Sequence, residues 1–155
     1  TGLSLVDWPG RFQIIPGQPT LVLDVAHNPH SVAALTVNLD AMGYFPTTHA
    51  VVGAMADKDL DAMLSRVAPL IDRWYFTDLP TARAATAADL VQRLKRVNQG
   101  KAVVAGAFAT PQQALDAAVV AADPTDRIVV FGSFYTVGGV LTNGTPRLSS
   151  KHSVP

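Results

Sequence analysis

The chain has 155 residues, enough for one domain with a real core, and 48% of them are hydrophobic against 15% charged, which excludes an intrinsically disordered chain. The formal net charge is +0 and the isoelectric point is near 6.8, so no basic field points to nucleic acid or an anionic membrane surface. There are no cysteines, which removes disulfides and thiolate metal sites and is compatible with a cytoplasmic enzyme.

The N-terminal "TGLSLVDWPG" has no initiator Met and no signal-peptide pattern, so the chain reads as a piece of a longer protein. No apolar run approaches the roughly 20 residues of a membrane span. "WPGRFQ" then sets Arg11 after a Pro-Gly turn, where a guanidinium can reach a phosphate or simply decorate the turn. Phe12–Ile15 and Leu21–Val25 are the first two strand candidates, joined by the short "PGQP"; the short link suggests a hairpin and one antiparallel edge.

Asn28-Pro29 supplies an N-cap and a first-turn proline, and Val32, Leu35, Leu39 and Met42 repeat at helical spacing behind it. Ala50–Gly53 predicts a buried strand. After the loop "ADKD", the residues Leu60, Met63, Leu64, Val67 and Ile71 predict a helix. Trp74–Thr77 is the next strand. Thr86 with Asp89 resembles a capping box before Leu90, Val91, Leu94 and Val97. Ala102–Ala105 is a strand, Thr110-Pro111 with Gln113 opens a further helix through Leu115, Ala118, Val119 and Ala122, and Asp123-Pro124 ends it. Ile128–Gly132 is the sixth strand and "FYTVGG" opens the last helix. The tail from 143 to 155 lacks apolar periodicity and is expected to be flexible.

Strands alternating with helices predict an α/β fold with a mostly parallel six-stranded sheet, one antiparallel edge strand and helices on both faces. Ligands of such sheets bind at the carboxyl ends of the strands, so the polar residues there are the candidates. Asp24 can accept two hydrogen bonds from a ribose diol, or cap the amides of the turn that follows it. His27 can donate to a ligand carboxylate, stack on an adenine, or bond to the backbone of its own turn. Asp24, His27 and His30 share a three-residue spacing, but no further His or carboxylate completes a metal-ligand set.

Lys58 between two aspartates is either a surface charge or an anion contact, and Asp59 is a candidate helix N-cap. Ser133 can bind a carboxylate, and it lies in no G-x-S-x-G elbow. Phe134 and Tyr135 are expected to pack rather than stack on a base. The sequence holds neither G-x-x-x-x-G-K-[ST] nor G-x-G-x-x-G, so triphosphate would have to be cradled elsewhere.

"PGRFQ", "LDVAHNPHSVAAL", "GAMADKD", "PTARAATAADL" and "VVFGSFYTVGGVL" occur in that order. Together they resemble the C-terminal domain of the dihydrofolate synthase/folylpolyglutamate synthase family of the Mur ligase superfamily, over about Pro9 to Leu141, and most of all its bacterial bifunctional members. The resemblance implies a Rossmann-like domain spanning 1–142. It implies an ATP-dependent ligase that phosphorylates a dihydropteroate or folate carboxylate and lets the amine of L-glutamate displace phosphate. ATP and Mg²⁺ would be held mainly by a P-loop domain of the same full-length protein, which this chain lacks, so the chain alone should be inactive.

By the same resemblance, Arg11 and Asp24 fall on ATP-contacting positions, and His27, Lys58 and Ser133 on the glutamate side, with no catalytic residue and no metal ligand assigned here. Val25 departs from the family's usual glycine in "DGAHNP", which is compatible with the turn only if that backbone stays extended. Two other readings are a peptidoglycan-type amino-acid ligase of the same superfamily and a non-catalytic Rossmann-like binding module. The histidine placement in "AHNPHS" favours the folate branch.

Overall fold

The computed structural model describes residues 12–99 and 103–142. Six strands form one sheet: β1 (Gln13–Ile15), β2 (Thr20–Leu23), β3 (Thr48–Val52), β4 (Arg73–Thr77), β5 (Val103–Phe108) and β6 (Arg127–Phe131). Five helices connect or follow them: α1 (Pro29–Ala41), α2 (Leu60–Val67), α3 (Ala87–Val97), α4 (Pro111–Ala121) and α5 (Phe134–Val140). The strand order is β1-β2-β6-β3-β4-β5, parallel throughout except for the antiparallel β1–β2 pair. The expected hairpin and edge are therefore present. Arg11 and the tail 143–155 lie outside the described residues, as does Ala102 of the fifth expected strand.

The central strands are buried on both sides, which is why they read as unbroken apolar runs. Along β6, Ile128 and Val130 face one core and Val129 and Phe131 the other. Helices α1, α2 and α3 cover the face of Val129 and Phe131, where Val32, Leu35, Leu39, Leu60, Leu64, Leu90 and Leu94 meet Val52, Trp74 and Phe76. Helices α4 and α5 cover the other, where Ala114, Leu115, Ala118, Val137 and Val140 meet Leu21, Val51 and Tyr75. Each buried leucine contributes about 1.5–3 kcal/mol.

The caps follow the sequence signals. Asn28 and Ser31 form a reciprocal capping box on α1, with Pro29 in the first turn. Thr86 and Thr110 accept from the backbone N–H of Asp89 and Gln113. No described helix is long and apolar enough to cross a membrane.

Several boundaries differ from the sequence pattern: β2 is Thr20–Leu23 rather than Leu21–Val25, β5 runs on to Phe108 rather than ending at Ala105, and α2 stops at Val67, short of Ile71. At β3 and β6 the difference has a clear physical reason. The sequence pattern starts the third strand at Ala50, whereas β3 begins at Thr48 and buries His49. His49 is tolerated there because both ring nitrogens are used: Nδ1 lies 2.9 Å from the Tyr75 hydroxyl and Nε2 lies 3.0 Å from Asp126 Oδ2. Arg127, also buried, starts β6 in the same way. Its Nη1 donates to Leu39 O at 2.7 Å, its Nε and Nη2 donate to Thr48 Oγ1, and its guanidinium lies 4.6 Å from the centre of the Phe45 ring.

Candidate functional site

The order β2-β6-β3 sets three strand ends side by side. Asp24 follows β2 and stays half-buried at the sheet edge because its N–H donates to Val130 O of β6 at 3.0 Å. Its Oδ1 accepts from Ala26 N at 2.9 Å, so the turn-capping role is realised. Val25 has no positive φ, so the residue that departs from the glycine of the family pattern sits without strain.

His27 is held from both sides. Its N–H donates to Ser31 Oγ at 3.0 Å, inside the α1 capping box. Its Nδ1 lies 3.0 Å from Val25 O. A carbonyl only accepts, so the proton sits on Nδ1 and Nε2 is the remaining ring nitrogen. The imidazole lies beside Phe134, with ring centres 6.1 Å apart. His30 is exposed.

The β6 end is stitched to both neighbours. Gly132 N donates to Ala26 O at 2.9 Å, joining the β2–α1 and β6–α5 loops. Gly132 has φ +120°. Ser133 caps α5: its Oγ accepts from Thr136 N at 3.1 Å and lies 3.0 Å from Thr136 Oγ1. Thr136 Oγ1 in turn donates to Gly53 O, at the end of β3, at 2.7 Å. Ser133 and Thr136 are both buried.

The loop from Ala54 to Asp59 carries Lys58. It is braced by the residues of "PTARAATAADL": Ala85 N donates to Ala54 O at 2.9 Å, Ala56 N donates to Arg83 O at 2.8 Å, and Met55 bridges Ala84. Asp59 caps α2 through Ala62 N at 3.2 Å. Lys58 is partly exposed, and among the described residues no carboxylate pairs with its ammonium. The nearby Arg83–Asp57 pair is long, at 3.8 Å, and open to solvent, so it contributes little.

The structure thus brings His27, Ser133 and the end of β3 together. Lys58 shares their edge of the sheet, but no bond joins it to His27 or Ser133 among the described residues. The sequence reading passed over Gly53, Gly132 and Thr136, although "FGSFYT" and "VVG" each placed a glycine at a strand end, the one signal available. It also expected Phe134 and Tyr135 to pack. Instead they are 58% and 47% exposed, and with Leu79, Pro80, Pro111 and Gly139 they line a surface groove of about 640 Å³ between α4 and α5. On α5 the inward positions go to Thr136, Val137 and Val140. Among the described residues no three His, Asp or Glu side chains gather to hold a metal ion.

The family described as "Mur ligase, glutamate ligase domain" matches residues 10–134. The dihydrofolate synthase/folylpolyglutamate synthase of Escherichia coli (strain K12) is 37% identical over 140 residues, covering 90% of this chain and 31% of that protein. A structure of E. coli FolC in complex with DHPP and ADP superposes with a TM-score of 0.79 at 36% identity, covering 87% of this chain and 31% of that one. A bifunctional folylpolyglutamate synthase/dihydrofolate synthase with Mn, AMPPNP and L-glutamate bound gives a TM-score of 0.79 at 35% identity, covering 91% and 32%. The chain spans about a third of the length of the curated relatives it matches. With its sheet order, its stitched strand ends and a match over most of its length, the chain belongs to the Mur ligase, glutamate ligase domain family.

Proposed function

We propose that this chain is the glutamate-side domain of an ATP-dependent ligase that joins L-glutamate to dihydropteroate and reduced folates. In this reading residues 1–142 form that domain, and a P-loop domain of the same full-length protein holds the triphosphate and Mg²⁺. When bound, ATP supplies the phosphoryl group that activates the acceptor carboxylate. Asp24 receives the ribose hydroxyls and Arg11 contacts the nucleotide, as the family resemblance implies. His27, Lys58 and Ser133 make the L-glutamate side, where a dicarboxylic amino acid calls for cations and fixed polar groups.

The observation that carries the reading is the convergence of His27 with the Ser133–Phe134 corner at the end of β6, joined through Gly132 N and Ala26 O. It is supported by the similarity to dihydrofolate synthase/folylpolyglutamate synthases and by the superposing structures, which include ADP and L-glutamate complexes.

The test is a ligase assay with ATP, Mg²⁺, dihydropteroate and L-glutamate, run on this chain and on the longest product of its gene. Glutamate-dependent ADP release by the longer product and none by this chain is the expected result. Release that does not depend on L-glutamate, or its absence from both proteins, overturns the substrate. Turnover by this chain alone overturns the division of labour between domains.

A further inference from the structure

The hydroxyls of Ser133 and Thr136 have a forced direction. Gly53 O can only accept, so the Thr136 Oγ1 proton is donated to it across 2.7 Å. That proton is then spent. The 3.0 Å contact between Ser133 Oγ and Thr136 Oγ1 must be a donation from Ser133. Ser133 Oγ meanwhile accepts from Thr136 N at 3.1 Å. Ser133 therefore sends its proton inward and has none to offer a ligand. Both residues are buried, at 3% and 0% exposure, so water does not compete for these bonds.

We propose that Thr136 is a positioning residue for the amino-acid side of the site: its hydroxyl locks Ser133 and the end of β3 into one relay and thereby holds Phe134 against His27. Ser133 acts through this corner and does not donate to a ligand carboxylate. The relay ends on β3, the strand whose loop carries Lys58, so one hydroxyl couples the two strand ends that bear the candidate glutamate contacts. Space agrees with this role. A Cβ on Gly53 would come within 3.0 Å of Thr136 Oγ1, so both glycines at this junction leave room for the relay and for the Gly132–Gly53 approach. Phe134, 58% exposed, sets its ring beside that of His27, so the corner adds a constraint on the imidazole to the one that Nδ1 has from Val25 O.

The part of this inference that concerns glutamate rests on the proposed function, and two kinds of measurement keep the two apart. In the 155-residue chain, Thr136→Val keeps the shape and removes the hydroxyl, whereas Thr136→Ser restores it. The nuclear Overhauser contact between the His27 and Phe134 rings is expected to fade in the valine variant and return in the serine variant, whatever the chain catalyses. In the active full-length protein, Thr136→Val is expected to raise the L-glutamate KM about tenfold with kcat and ATP KM within about twofold, and Thr136→Ser to recover it. Should the valine variant fail to fold, Phe134→Ala, which leaves the relay intact, is expected to raise the L-glutamate KM in the same direction. A folded Thr136→Val protein with an unchanged ring contact and an unchanged glutamate KM overturns the proposal, as does a Phe134→Ala protein with an unchanged glutamate KM. A wild-type protein that never uses glutamate overturns the functional reading, and the ring contact then decides the positioning role by itself.

Discussion

Gly132 lies so close to Gly53 that a Cβ added to Gly132 would stand 2.1 Å from the Gly53 carbonyl oxygen, inside any permissible contact. The same Gly132 has φ +120°, a backbone conformation that side chains rarely adopt. Two independent constraints, one on backbone angle and one on space, thus fall on one residue at the end of β6.

Gly132→Ala is expected to cost about 2–4 kcal/mol, because the backbone strain and the clash add. Gly138→Ala is the control in the neighbouring helix, where an added Cβ meets nothing within 4 Å. It is expected to stabilise α5 by up to about 1 kcal/mol through helix propensity. Urea denaturation of both variants checks the pair. A Gly132→Ala protein as stable as the wild type would mean that the β6–α5 corner relaxes freely.

The buried chain of Tyr75, His49 and Asp126 gives a second prediction. Asp126 Oδ2 accepts from His49 Nε2 and from Asp123 N, while Oδ1 is buried with no partner among the described residues. In the neutral ring the proton sits on Nε2 and the Tyr75 hydroxyl donates to Nδ1. His49→Phe leaves the carboxylate with one donor and is expected to cost about 3–5 kcal/mol, as breaking a buried pair does. Tyr75→Phe removes a neutral donor only and should cost about 1–3 kcal/mol. The ranking of the two denaturation midpoints is the measurement, and the reverse order would show that Asp126 is rehydrated when its partner leaves.

Alkaline pH should expose the same cluster. Burial pushes the Tyr75 phenol above its ordinary 10.0, Arg73 opposes the rise, and the Asp126 charge adds to it. The folded value lies above the unfolded one, so this contribution to stability is whole below pH about 10 and is lost as pH rises through the folded value. The unfolding free energy is therefore expected to fall above pH about 10, and to fall less steeply in Tyr75→Phe. Equal slopes in the two proteins would remove Tyr75 as the cause.

Asp24 combines a turn cap with the proposed ribose contact, and two substitutions separate them. Asp24→Asn keeps an oxygen for Ala26 N, whereas Asp24→Ala loses the cap at a cost of about 1 kcal/mol. In the active full-length protein both are expected to raise the ATP KM about tenfold, because each removes the paired acceptors a diol needs. Steady-state kinetics at saturating glutamate checks this. An ATP KM unchanged in both variants would leave Asp24 only its turn.

Much of the fold was legible along the chain. Unbroken apolar runs announced strands covered on both faces, and Asn28-Pro29, Thr86 and Thr110-Pro111 marked helix starts, because these signals act within four or five residues. Asp24, His27 and Lys58 were visible as polar residues beyond strand ends. What the sequence by itself determined was therefore the order of elements and the list of side chains offered at one edge.

Only the tertiary structure decided which of them meet. β6, the last of the described strands, inserts between β2 and β3, and this long-range pairing brings Ser133 and Phe134 to His27 and Thr136 to Gly53. His49 joins a strand rather than a loop because its partners lie 26 and 77 residues away. A local pattern records what a residue prefers, whereas the burial of a polar group depends on a partner that only the assembled sheet supplies.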